Sequence, residues 1–248
     1  MNRLLVKLEQ DASEFRQKNG LSATEPIRLK SLLQKNIVLT ACLPLSGTFS
    51  GMAIKVNKGE SIKRFILINS NHTLGRQHFT ICHELYHLYY QENFESEKSV
   101  VGLYNKSDIE EYKADYFASY LLLPRGGIIQ MIPEKELVKN KISLKTLLEI
   151  EHYYSCSRKA LLHRLLDLGI IDKSVFDEYD IDKIKNALLH GYNSDLYSPA
   201  NEGLVVGDYG SKAKELFDKG MISESSYFSL LEEIGVDLSN FDEQEDND

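Results

Sequence analysis

The segment HFTICHELYHLYY (78–90) constrains this chain more than any other. Residues 77–90 hold neither glycine nor proline, and Phe79, Leu85 and Leu88 supply an apolar side, so the run reads as one amphipathic helix. A helix fixes where its polar residues point. His83 and His87 stand four apart, which places them on one face, one turn above the other. Their imidazoles can converge on a single ion. Glu84 lies about 100° around the helix from His83, able to reach a water at that ion without being a ligand. Two neutral nitrogen donors beside a carboxylate base form the donor set of a hydrolytic zinc site.

HExxH arises by accident in roughly one chain in a hundred of this length at ordinary residue frequencies, so a third ligand is required. Glu111, placed near the start of a following helix, is the candidate. Asp115 stands four residues further on the same face, where it can accept a hydrogen bond from the far nitrogen of His83 and fix that ring's tautomer. Glu110 is the rival third ligand, but it has Ala114 four residues on. The expected cofactor is one zinc ion per chain, held by His83, His87 and Glu111. Glu84 is the expected general base.

The remaining pattern suggests strands first and helices after, an α+β arrangement. Leu4, Leu5, Leu8, Ala12 and Phe15 recur at helical spacing, with Gly20 as a stop. Pro26 opens a second short helix through Leu33. Strands are expected at 37–43, 50–56 and 64–70, with a turn over 57–61. Residues 74–90 form the histidine helix, 95–105 a polar loop. Ser107 or Asp108 caps a helix that ends at Pro124. Helices over 143–154 and 157–168 follow, then a loop over 192–210 and a helical pair over 211–235. The division is a zinc domain at 1–135, a helix–turn–helix-like segment at 136–171, a helical region at 172–236 and an acidic stretch at 237–248. That stretch carries six acidic residues and no basic one. It reads as a solubilising tail, with docking on a basic partner as the alternative.

Composition removes several classes. No apolar run approaches the roughly 18 residues that span a bilayer. MNRLLVKLEQDASEF lacks the apolar stretch of about 7–15 residues of a signal peptide, so the cytoplasm is expected. Three cysteines without a CxxC pair argue against a disulfide framework or a cysteine zinc finger. Cys82 reads as a small buried apolar residue. A net charge of −8 disfavours nucleic acid as a partner of the whole surface. Residues 141–164 locally sum to +3, with Arg158, Lys159 and Arg164 on the second helix of the pair, so a DNA-associated regulator acting through 143–168 stands as an alternative function, less favoured than packing or partner docking.

Two stretches carry a family resemblance. RQHFTICHELYHL (76–88) and EYKADYFASYLLLP (111–124) resemble the ImmA/IrrE family of bacterial metallopeptidases, whose second motif runs Glu-x-x-Ala-Asn-x-Phe-Ala-x-x-Leu-Leu-x-Pro. Asp115 stands where asparagine is commonest, which brings the chain closer to the Glu/Asp pairing of thermolysin-like zinc enzymes. Tyr86 stands where glycine is frequent. The resemblance covers about residues 35–125, and 143–171 loosely. It implies a minimal zincin-like metalloprotease fold and site-specific cleavage of a regulatory protein, such as a helix–turn–helix repressor or an antitoxin.

In the expected mechanism, Glu84 moves a proton from water to the leaving amine. His72, Arg76, His78 and Tyr86 are the candidate oxyanion or substrate contacts. The strand at 50–56 is a candidate for binding an extended substrate by strand addition. The second alternative function is a regulatory binding module whose metal site is structural.

Overall fold

The computed structural model describes residues 3–58 and 61–236. Helix α1 (Arg3–Lys18) buries Leu8, Ala12 and Phe15. Each large side chain so removed from water contributes about 1.5–3 kcal/mol. Arg16 is buried on the same face. Its guanidinium donates to the carbonyls of Ser22, Glu25 and Leu121, so one cation ties α1 to the loop after it and to a helix far along the chain. The helix expected from Pro26 begins later, as α2 (Leu29–Lys35). The Ser22 hydroxyl accepts from the amides of Thr24 and Glu25, and this local turn competes with helix.

Strands β1 (Val38–Leu43), β2 (Gly51–Lys58) and β3 (Ser61–Asn69) match the three expected in sequence. β2 and β3 are antiparallel, from Gly51 opposite Ile68 to Lys58 opposite Ser61, so the strands continue into the stretch expected as a turn. β1 runs parallel to β3, with Val38 opposite Arg64. Two further strands fall inside expected loops. β4 (Ser96–Ser99) pairs with β2, and β5 (Val205–Val206) pairs with β1. The sheet order is β4-β2-β3-β1-β5. β2 therefore has a neighbour on both sides, which removes it as a strand for substrate addition. The edge beside it is β4.

Helix α3 (Leu74–Tyr89) lies on β2 and β3, and α4 (Ile109–Leu122) packs on α3 and on α1. Helices α5 (Arg125–Met131), α6 (Leu144–Tyr153), α7 (Arg158–Asp167), α8 (Lys173–Tyr179) and α9 (Lys183–Leu189) follow, then the pair α10 (Tyr209–Asp218) and α11 (Glu224–Glu233). The fold is α+β. Ser143 and Ser157 cap α6 and α7, accepting from the amides of Thr146 and Ala160. Two of the three basic residues singled out on α7 do not face solvent. Arg158 pairs with Glu151, both side chains fully buried, and Arg164 pairs with Glu9 and Asp167. Neither is presented to a phosphate backbone, while Lys159 is exposed. Among the described residues no helix is long and apolar enough to cross a membrane. The acidic stretch 237–248 lies outside the described residues.

Candidate metal centre

Two helix starts place the site. At the first, the Gln77 side-chain amide donates to the carbonyls of Ser70, His72 and Ala200, which pins the start of α3 to the end of β3 and to the loop before β5. At the second, the Asp108 carboxylate accepts from the Glu111 amide at 3.2 Å. Glu111 thus sits in the first turn of α4, where the helix dipole favours a carboxylate. The packing of α4 on α3 brings this end against the histidine face.

His83 Nε2 and His87 Nε2 lie 3.1 Å apart. Glu111 Oε2 is 3.3 Å from His83 Nε2, and Glu111 Oε1 is 3.2 Å from His87 Nε2. Ligands about 2.0–2.1 Å from a tetrahedral ion stand roughly 3.3–3.4 Å from one another, so each histidine has a Glu111 oxygen near that spacing, and one ligand atom from each of the three residues lies within 4.8 Å of the others. Both rings are fully buried and the Glu111 side chain keeps 18% exposure, leaving the carboxylate side as the open one. His83, His87 and Glu111 form a candidate metal-binding group.

The far nitrogens are held as well. His83 Nδ1 meets Asp115 Oδ1 at 3.0 Å. Asp115 also accepts from the amides of Gly102 and Tyr104, each at 2.8 Å. His87 Nδ1 meets Gln91 Oε1 one turn on, and the Phe94 ring stacks on His87. Burial by itself would push the His83 ring down, but the hydrogen bonds to Asp115 and Glu111 outweigh it and hold the metal-free ring at about 10. Burial pushes Glu111 up, and its hydrogen bonds to His83 and His87 pull it down to about 2. The trio is thus arranged around positive charge.

Glu84 is fully buried, and neither carboxylate oxygen has a hydrogen-bond partner. Leaving such a group unsatisfied is costly, which marks it as waiting for a ligand. Burial raises it to about 7 against the pull of His83 and His87, close to the optimum for proton transfer at neutral pH. Gly51 makes room for it. A Cβ there would meet Thr80 Cγ2 at 2.6 Å and Glu84 Oε1 at 3.0 Å, so β2 approaches α3 closely only because this residue has no side chain.

The other sequence candidates are placed as follows. Glu110, the rival ligand, accepts from the Tyr86 hydroxyl and from Lys113, away from the histidine nitrogens. Tyr86 is thereby engaged and packs on Phe117. His78 Nδ1 meets the Ser155 carbonyl at 2.7 Å. His72 Nδ1 is buried without a partner. Arg76 donates to the Ser50 hydroxyl at 2.9 Å, and its Nε is buried without a partner. Among the described residues none of these four hydrogen-bonds to the trio or to Glu84. Cys82 is fully buried and its thiol is pushed by burial up to about 12, an inert packing residue. Sequence reading missed Gln91, although its place four residues after His87 was a usable signal. Gly102 and Tyr104 act through backbone amides and left no signal.

Residues 48–166 match the Peptidase_M78 family model, the IrrE N-terminal-like domain. The matched stretch includes β2, α3 and α4, and with them every residue of the site from Gly51 through Asp115. Residues 48–166, just under half of the chain, are thus similar to a metallopeptidase-like domain of the IrrE type, in agreement with the ImmA/IrrE resemblance of the two motifs. No curated protein matches the chain.

Proposed function

We propose that this chain is a zinc-dependent endopeptidase that cuts a regulatory protein, such as a helix–turn–helix repressor or an antitoxin, at a defined site. The observation that carries the reading is Glu84: a fully buried carboxylate with two unpartnered oxygens, one residue from a ligand histidine of the candidate metal-binding trio. A bound zinc ion supplies Lewis acidity to water and to a peptide carbonyl. Glu84, held at about 7 by burial, takes the proton of the attacking water and hands it to the leaving amine nitrogen. Asp115 fixes His83 with Nδ1 toward the carboxylate, so that Nε2 is the donor. Arg76 stands two turns before His83 on the same side of α3, and its unpartnered Nε makes it the favoured substrate contact among the four candidates. A cytoplasmic setting suits such a substrate.

The test is proteolysis of a repressor or antitoxin encoded beside this chain, by wild-type and Glu84→Gln protein. The wild type is expected to cut at one site. The variant should be slower by about 10²–10⁴-fold at unchanged zinc content. Equal cleavage by both would overturn the assignment of the base.

A further inference from the structure

A groove of about 1050 Å³ runs from the start of α3 and the stretch 100–104 to α7 and α9, at the upper end of the range of ligand clefts, about 300–1000 Å³. Its walls are mainly apolar. Leu103, Leu188 and Leu189 line it and are 64%, 57% and 72% exposed. Its charges are of both signs, with Lys159 and Lys185 beside Asp180 and Asp182, so apolar bulk is the chemistry its walls share. A small-molecule pocket encloses most of its ligand. This groove leaves its leucines open to solvent, which suits a chain that passes through it.

One end of the groove adjoins the metal centre. Ser99 Oγ lies 3.5 Å from Glu111 Oε1, and the next two residues, Val100 and Val101, line the groove. Arg76 lines it as well. Arg76 Nη2 and the Val101 amide both donate to the Ser50 hydroxyl, so the favoured substrate contact is fixed at that end. A peptide held by Arg76 has the groove beside it. Leu103 is four residues from Ser99, at most roughly 14 Å of chain, and an extended peptide advances about 3.3 Å per residue. We propose that the groove receives a bulky apolar side chain of the peptide substrate, leucine, methionine or phenylalanine, within about six positions of the cut.

The far wall is α9, with Leu188 and Leu189 at its end. It lies beyond residues 48–166, the stretch that matches the family model. The metal centre and the contact that discriminates between side chains thus come from different parts of the chain. An enclosed apolar pocket discriminates by about 10–200-fold per methylene, and an open groove by less. The assignment rests on the peptidase reading, yet it fails separately, because preference among peptides and hydrolysis of any peptide are different readouts.

The experiment uses the full zinc-loaded chain and a pool of random-sequence synthetic peptides, with the cut sites read by mass spectrometry. Expected is enrichment of leucine, methionine or phenylalanine by at least roughly fivefold at one position near the cut, lost in Leu188→Glu with Leu189→Glu. Both leucines are exposed, so the fold tolerates the change. Met221→Glu, at a residue 67% exposed that does not line the groove, is expected to keep the enrichment. Cleavage without such a preference, a preference that survives the double variant, or one lost in Met221→Glu overturns the role of the groove and leaves the peptidase reading standing. Absence of any cleavage overturns the peptidase reading, and labelling then decides the groove by itself. The same pool with photo-leucine in place of leucine, irradiated with Glu84→Gln protein, is expected to label Leu103 and α9 at least roughly fivefold above Met221. Labelling in proportion to exposure overturns the seat in the groove. Labelling that falls as protein concentration rises places a second copy of the chain there and overturns it too.

Discussion

Two clusters of buried charge sit in this fold, and they are built on opposite principles. In the helical half, Arg158 meets Glu151 at 2.7 Å with both side chains fully buried, Tyr197 and the Tyr179 carbonyl add hydrogen bonds, and one Glu151 oxygen, Oε1, is left without a partner. That cluster contains its own cation. In the metal centre, Glu84, Glu111 and Asp115 surround two imidazoles, and none of their bonds among the described residues involves a lysine or arginine. That cluster holds no lysine or arginine among the described residues and leaves Glu84 unpartnered. Burial of charge is common to both. What distinguishes the functional one is an unmet electrostatic demand at the point where donor atoms converge.

The contrast can be broken most forcefully at Arg158. Arg158→Ala should cost about 3–5 kcal/mol in urea unfolding, because it strands Glu151 in the core, and it should leave zinc stoichiometry unchanged. The double variant Arg158→Met with Glu151→Leu should recover most of that loss; if it does not, the pair is more than self-neutralising. Asp115→Asn comes next. It should weaken zinc binding about 10–100-fold in competition with a chromophoric chelator, with little change in folding. A pH series sharpens the comparison further. His83 is held at about 10 against an ordinary 6.5, so the metal-free ring is protonated at neutral pH and zinc uptake must expel that proton. Zinc affinity should therefore rise with pH, by up to about tenfold per unit between roughly 7 and 10, with proton release visible by calorimetry in buffers of different ionisation enthalpy. The same raised value stabilises the metal-free fold fully below 6.5, and this contribution is lost as pH rises through 10. The smallest effect belongs to Asp108→Ala, which removes the cap of α4 and should cost about 1 kcal/mol, with a measurable drop in zinc affinity because Glu111 is anchored from that turn.

The parts of the site legible in sequence are those fixed by helical geometry. His83, Glu84 and His87 follow from one period of α3, and Asp115 is tied to Glu111 by one period of α4, so short-range spacing was enough to place them. β4 escaped because Ser96–Ser99 shows no apolar alternation; its pairing with β2 is a backbone matter. β5 is two residues long and exists only because β1 offers an edge. Arg158 and Arg164 look from sequence like a basic helix face, and only the partners Glu151, Glu9 and Asp167 turn them inward. The amides of Gly102 and Tyr104 are invisible for the same reason: any residue has one, and what matters is where the chain folds it.

Gly51 sets a limit of a different kind. It carries no charge, binds nothing and has a strand conformation open to every amino acid, yet the space beside Thr80 and Glu84 admits no side-chain carbon. In a saturation mutagenesis scan this position should be depleted as severely as the ligand histidines, and for valine or isoleucine, the residues a strand ordinarily welcomes, most of all. Intolerance to change would there report excluded volume, so a map of mutational sensitivity over this domain will mark Gly51, which performs no chemistry, as if it did.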